Sequence, residues 1–440
     1  MRSSVRPSVG SSLRPSGAVP LSVLDRLSLD VAALHATDSA LHLGALITLE
    51  GEPPSRDEVV EHLKGRLARL PELAHRLAGR PGRPHWEPDP RFDPDRHLYE
   101  LPGSTDRATV LAELLRQPLP RDRPLWGIWL VRRVGGGYGL CYRAHHAFQD
   151  GAAAVATLER LLGPEEAPRP RAPSFRPPRP VPWAAVLPEL RPPRRVTWWP
   201  ALDTPPSQAY ATTLTDVDTA RLHALGRLTG ATVPQLCLTL ATEALRAWHP
   251  HDWEPGGPGH GLGLRTNLAI SVRDPDDPLP LLGNRVAVAG VDLPCGDPDP
   301  RRRLDRVGRA LDYARLARLT DAHRVILRRL PYRVGRLALT RSIDARYTPL
   351  GVADLRVRRP LGFAGVPASG VYALPVMVPG QPLFVAWVTH RRRLHVTFTT
   401  DTALAGTDRL PGAWHAALTE LERRAADGEF ARNPAVAGAR

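Results

Sequence analysis

With 440 residues, 42% of them apolar, the chain has material for two cores of ordinary size and is neither disordered nor fibrous. Its formal charge of +14 is carried almost wholly by arginine, Lys64 being the sole lysine, and the arginines alternate with acids apart from runs such as Arg301–Arg303 and Arg391–Arg393. No nucleic-acid-binding motif or Cys/His zinc spacing accompanies that charge, so neither nucleic acid nor a metal is expected, whereas steering of an anionic substrate is consistent with it.

The opening MRSSVRPSVGSSLRPSGAVP lacks the apolar core of a secretion signal, and residues 1–19 read as a disordered tail. Cys141, Cys237 and Cys295 are far apart and odd in number, which fits a reducing compartment. No apolar run reaches the roughly 18 residues of a membrane span. The expectation is a cytoplasmic protein, with peripheral contact at a membrane surface left open. LHLGALITLEG (residues 41–51) predicts a strand and turn. SRDEVVEHLKGRLARLPEL predicts a helix with a Ser55/Glu58 capping box and Val59, Leu63, Leu67 and Leu70 on one face. A further helix is expected near 106–116, then a hairpin of GIWLVRRV and YGLCYRAHH about Gly135–Gly137, then a helix in DGAAAVATLERLL with Asp150 at its start.

From 163 to 207 the composition turns to proline, which rules out a helix or a central strand and marks a stiff connection. Beyond it, helices are expected in TDVDTARLHALGRLTG, TVPQLCLTLATEALRAW and, as one long element, RRRLDRVGRALDYARLARLT. Strands are expected in TNLAISV, NRVAVAGVDLP, VYALPVMV, LFVAWVT and RLHVTFTT. The division expected is a first domain over 20–162, the connection over 163–207, a second domain over 208–428 and a tail over 429–440. Each domain is an α/β (α+β) sandwich.

The chemistry concentrates in RAHHAFQDG (143–151). Successive strand residues point to opposite faces, so only one of His145 and His146 addresses a given cleft. An imidazole titrating near neutrality suits a general base. Asp150 would fix the loop by neutralising a cation, and Gly151 would admit a substrate or another backbone at close range. The plainer alternatives are a packing histidine at a strand end and an ordinary Asp cap.

The surroundings of the motif bear a resemblance. PLSVLDRLSL (20–29), LHLGAL, Trp86, His97, PLPRDRPLWGIWLV (118–131), AISVR (269–273), Gly283-Asn284 and DLP (292–294) stand in the order and spacing of the bacterial wax ester synthase/diacylglycerol acyltransferase family. That family lies within the chloramphenicol acetyltransferase-like, CoA-dependent acyltransferase superfamily, and the resemblance runs from about residue 20 to residue 425. Two departures stand out. TVPQ (232–235) replaces the family's Thr-Val-Asn-Asp, and GVADLRVRRPLGFAG (351–365) occupies the place of its Ser-Asn-Val-Pro-Gly-Pro segment.

The resemblance implies two chloramphenicol acetyltransferase-like domains facing each other across a substrate tunnel. It implies acyl transfer from acyl-CoA by direct attack, with His146 as base, His145, Asp150 and Gly151 shaping the motif, and no bound cofactor. Trp126, Asn284 and Arg273 become the candidate substrate-binding residues: Trp126 as a wall or core residue, Asn284 as a tunnel contact or a turn residue, and Arg273 as the partner of Asp150 or a solvated arginine. Three readings stay open. One is an O-acyltransferase acting on a long-chain alcohol, diacylglycerol or related hydroxyl. Another is a specialised-metabolite enzyme forming an ester or amide from a CoA- or acyl-carrier-protein-bound donor. The third is a catalytically silent condensation-like binding module.

Overall fold

The hairpin expected about Gly135–Gly137 is the spine of the first sheet in the computed structural model, which describes residues 17–34, 38–80, 82–164, 180–191, 194–196, 199–273, 280–378 and 380–430. Residues 1–16 and 431–440 of the expected tails, and 165–179, 192–193 and 197–198 of the expected connection, lie outside those residues, whereas Val19 of the first expected tail pairs with Trp86. In chain order the first part runs β1 (Val19–Pro20), α1 (Val23–Ala32), β2 (His42–Glu50), α2 (Arg56–Leu67), β3 (His75–Arg80), β4 (Arg83–Pro88), β5 (Leu98–Leu101), α3 (Arg107–Arg116), β6 (Trp126–Val134), β7 (Gly137–His145) and α4 (Gly151–Leu161). The second runs α5 (Trp183–Val186), β8 (Tyr210–Asp218), α6 (Thr219–Thr229), α7 (Val233–Trp248), β9 (Leu264–Ser271), β10 (Val286–Leu293), α8 (Pro300–Ala310), α9 (Tyr313–Arg329) and α10 (Tyr332–Ile343). It ends with β11 (Leu350–Val357), β12 (Gly362–Phe363), β13 (Val366–Leu374), β14 (Leu383–His390), β15 (Arg393–Asp401) and α11 (Leu410–Ala426).

Two mixed sheets of six strands result, ordered β12-β13-β2-β7-β6-β5 and β10-β9-β11-β14-β15-β8. The first carries α2 and α4 over one face, where Val59, Leu63, Leu158 and Leu161 meet Ile47, Leu130 and Leu140. On its other face α3 packs Val110, Leu111 and Leu114 against Leu46, Trp129 and Cys141. In the second, Trp387 and Phe398 of the sheet and Trp414 of α11 lie at most 1% exposed in the core that α7 and α11 cover. Each such side chain contributes roughly 1.5–3 kcal/mol by burial.

Most expected elements form where the local pattern puts them, with Ser55 and Glu58 making their reciprocal cap. Three differ. Thr215–Asp218 belong to β8, paired with Val396–Arg393, and the helix starts only where Asp218 accepts the N–H of Ala220. The long helix expected over 301–320 breaks, because Asp312 caps a new one by accepting the N–H of Arg315. Residues 350–357, for which no strand was expected, run parallel to β14 and β9.

The largest departure concerns the division into halves. β13 comes from beyond the proline-rich connection, yet it pairs antiparallel with β2, Val371 opposite Ile47, and completes the first sheet. A fragment ending at residue 162 would therefore leave β2 with an open edge on an apolar sheet, a template for aggregation. We expect such a fragment to be inactive and insoluble, and a full chain cleaved within 165–179 to stay associated and active. Gel filtration and a thiol-release assay check this; a soluble, active 1–162 fragment would contradict it.

Candidate active site

β7 ends at His145, paired opposite His42, and the chain turns at once: the N–H of His146 donates to Leu41 O at 2.9 Å, and those of Phe148 and Gln149 to His145 O at 2.8 and 3.1 Å. The two histidines differ in exposure, although His146 lies in the turn and not on the strand. His145 is 1% exposed, whereas His146 keeps part of its surface open. His145 Nδ1 accepts the N–H of Ala147 at 3.0 Å, so the ring carries its proton on Nε2. Burial, with the Arg121 and His146 charges beside it, pushes its pKa down to about 3, and it stays neutral.

His146 has the opposite tautomer. Its Nδ1 lies 3.3 Å from Gln149 O, and a carbonyl only accepts, so Nδ1 bears the proton and Nε2 presents its lone pair. Burial holds its pKa below the usual 6.5, partly offset by the Asp150 carboxylate and the Gln149 carbonyl. The turn owes its shape to Gln149, which sequence reasoning passed over. Its fully buried amide accepts from Tyr142 OH at 2.6 Å and donates to Thr157 Oγ1 at 2.9 Å, tying β7 to α4. Only its place between the histidine pair and the Asp-Gly hinted at it.

Asp150 caps α4 by accepting the N–H of Ala153 at 3.0 Å. Its carboxylate also takes a two-point bond from Arg273, Nε to Oδ1 at 3.2 Å and Nη2 to Oδ2 at 2.7 Å, and the N–H of Arg285 at 2.8 Å. Burial raises the Asp150 pKa, but Arg273 and these donors outweigh it and hold the group below its usual value. Arg273 comes from the loop after β9, so the pair joins the sequence halves at the motif. Its remaining bonds go to Gly283 O at 2.7 Å and Pro280 O. The N–H of Gly283 returns to Phe148 O at 2.6 Å from a backbone at φ +76°. A side chain there would be strained and would place its Cβ 3.1 Å from the Asp25 carboxylate.

The three residues expected to touch substrate spend their polar atoms inside the protein. Asn284 donates its N–H to Asp25 Oδ1 at 2.7 Å and its side-chain amide to Ser28 Oγ at 3.1 Å, and accepts from Val286. Trp126 is fully buried, donates to Leu73 O at 2.7 Å and stacks on His97 at 4.3 Å. Arg273 places four of its five N–H donors in the bonds above. Each of the three thus bonds to neighbouring protein groups. Gly151 is spared a side chain by Leu355 of β11, whose Cδ2 would lie 3.3 Å from an added Cβ.

The hub that sequence reasoning used only as a signature is Asp25. Wholly buried, it accepts from Ser22 N at 2.9 Å, Asn284 N at 2.7 Å and Trp86 Nε1 at 3.3 Å, with Arg285 Nη1 at 3.5 Å. Burial raises its pKa against those partners. At 232–235, Thr232 and Gln235 form a capping box, the Thr232 N–H donating to Gln235 Oε1 at 2.8 Å, so an ordinary helix start stands where Asn-Asp was absent. Among the described residues no three His, Cys, Asp or Glu side chains cluster as metal ligands. Burial raises the thiols of Cys141 and Cys295 to about 12 and that of Cys237 as well. A cavity of about 350 Å³ between Leu34, Ile343 and Leu404 shares no residue with the motif.

Residues 21–197 match the wax ester synthase/diacylglycerol acyltransferase catalytic domain. A probable diacylglycerol O-acyltransferase of Mycobacterium tuberculosis is 33% identical over 147 residues, 30% of this chain and 32% of that protein. A second, putative one from the same species is 38% identical over 103 residues, 22% of either chain. The matched stretch spans about a third or less of these relatives. In fold, the wax ester synthase/diacylglycerol acyltransferase of Marinobacter aquaeolei VT8 superposes with a TM-score of 0.61 at 18% identity, over 93% of this chain and all of that one. The first condensation domain of the calcium-dependent antibiotic synthetase, in complex with a substrate analogue, reaches 0.63 at 17% identity, over 95% and 98%. At such identities these two establish the shared two-lobed chloramphenicol acetyltransferase-like fold. The segment that carries the histidine pair and its Asp-Gly is thus similar to the wax ester synthase/diacylglycerol acyltransferase catalytic domain over residues 21–197.

Proposed function

We propose that this chain is an acyltransferase that moves an acyl group from acyl-CoA to a hydroxyl acceptor, a long-chain alcohol or a diacylglycerol-like lipid, in a tunnel between the two sheets. The observation that carries the reading is the His146 tautomer, whose Nε2 lone pair is the form a general base needs. Nε2 takes the acceptor's proton as the hydroxyl oxygen bonds to the thioester carbonyl carbon. When the C–S bond breaks, the CoA thiolate takes that proton back. Asp150 acts as a positioning residue: locked by Arg273, it stays ionised and its charge favours the transient imidazolium. Direct attack agrees with the cysteines, since thiols buried and raised so far are poor nucleophiles.

The condensation-domain likeness favours one second reading, in which the donor is CoA- or carrier-protein-bound and the product is an ester or amide of a specialised metabolite. Purified protein incubated with acyl-CoAs or acyl carrier proteins, and with alcohol, diacylglycerol and amine acceptors, distinguishes them by mass spectrometry. Ester formation from acyl-CoA supports the first reading, amide or carrier-dependent product the second. No product from any pair overturns both.

The titration of His146 adds a pH test. Its pKa lies below 6.5, so the base is already neutral at pH 7 and kcat/KM falls only as pH drops below 6.5. An acid limb centred above that value contradicts the assignment.

A further inference from the structure

Between Asp321 and Asp344 the chain carries six arginines and not one Asp or Glu, and this stretch includes α10. α10 has one anchored face. Gly335 is its single buried residue, packed where an added Cβ would lie 3.0 Å from Leu330 and 3.1 Å from Val23 of α1, and Tyr332 OH donates to Asp30. The opposite face is unusual for a helix that only meets water. Arg333, Leu337 and Arg341 follow one another at i, i+4 and i+8 and form an exposed ridge, with Val334 and Ala338 beside it. Leu337 is 69% exposed and Val334 53%, and Leu34, in the turn after α1, is 66% exposed. Leu34 and α10's Thr340 and Ile343 also line the cavity of about 350 Å³, so the apolar edge continues into a recess.

We infer that the outer face of α10 docks the protein on an anionic lipid surface. Leu337 and Val334 would enter the acyl boundary, while the long arginine stems lie along it and lift their guanidinium groups to the lipid phosphates. Arg333, Arg336 and Arg341 are exposed, and Arg341 also lies over the Tyr347 ring at 5.6 Å. Planar guanidinium forks suit phosphate oxygens. The interleaved aliphatic side chains favour a lipid over a nucleic-acid duplex, whose backbone offers them no apolar partner. No helix among the described residues is long and apolar enough to cross a membrane, so α10 would lie on the surface.

Co-sedimentation of the full chain with vesicles tests this, using phosphatidylcholine alone and phosphatidylcholine mixed with phosphatidylglycerol. Two variants, Val334→Ser/Leu337→Ser and Arg333→Gln/Arg336→Gln/Arg341→Gln, are compared with the wild type, with unchanged melting as the check on folding. The expected result is binding to the anionic vesicles at least about tenfold tighter than to neutral ones, weakened at least about tenfold in either variant. The arginine variant should also lose most of the salt dependence. The inference is overturned if the wild type fails to bind anionic vesicles, or if both variants bind like the wild type. It is equally overturned if duplex RNA competes the vesicles off the same face, or if the serine variant instead dissolves a dimer of this chain. Vesicle binding needs no turnover, so its failure leaves the acyl-transfer reading untouched, and an inactive protein that still binds vesicles leaves this one standing.

Discussion

His146→Ala is expected to lower kcat by about 10²- to 10⁴-fold, the usual worth of a general base, with little change in melting temperature. The two halves of that expectation have separate causes. The imidazole's one hydrogen bond, Nδ1 to Gln149 O, is long at 3.3 Å and contributes little to stability. The turn itself is held by backbone bonds to Leu41 and His145 and by the Gln149 amide, none of which needs the His146 ring. Removing the ring therefore takes away Nε2 and leaves the loop in place. Purified variant and wild type assayed for thiol release, with melting followed in parallel, decide it. Turnover near the wild-type rate would end the case for His146 as base.

Breaking the Asp150–Arg273 pair should have the opposite profile, a large loss of stability accompanied by a loss of activity. Their side chains are 2% and 9% exposed, so removing one partner strands a charge out of reach of water. Breaking a buried pair in this way costs about 3–5 kcal/mol. Asp150→Ala in addition orphans the N–H groups of Ala153 and Arg285. Arg273→Ala leaves Gly283 O and Pro280 O without their donor. The double variant should lose clearly less than the sum of the two, since each single change already destroys the shared bond. Asp150→Asn is expected to fall between them, keeping the cap and losing the charge. Denaturation curves of the four proteins measure this. Additive losses, or an Asp150→Ala protein as stable as the wild type, would show that the pair does not hold the halves together.

Much of this site was legible in one dimension because its signals are local. A capping box, a Gly-centred hairpin and an Asp before an Ala-rich helix act within three or four residues, and α2, the β6–β7 hairpin and α4 form where those signals stand. That His145 and His146 would differ was read from strand alternation, although the strand ends at His145 and the turn sets His146, and Arg273 was already a candidate partner for Asp150. The resemblance carried the rest of the motif. Gln149 and Asp25 were invisible as working residues, because a buried amide or acid is recognised by the partners it meets, and those come from other strands and from the other half of the chain.

What only the tertiary structure decided is which distant segments share a surface. The strand expected in VYALPVMV (371–378), which forms over 366–374, could by its sequence belong to either sheet. It joins the first because β2 otherwise has an unpaired edge there and backbone groups must be satisfied. The same closure gives Asn284 and Trp126 their internal bonds, since the loop after Gly283 meets α1 and the start of β6 meets Leu73. It also sets which face of α10 looks outward. The sequence shows a stretch rich in arginine and leucine with no helix foreseen in it, and only the contact of Gly335 with Val23 and Leu330 turns Leu337 and Val334 away from the core. The sequence by itself determined the local elements and the motif; the pairing of distant edges determined everything that holds the motif in place, because such pairing depends on which backbone edges and charges remain unsatisfied once the local structure has formed.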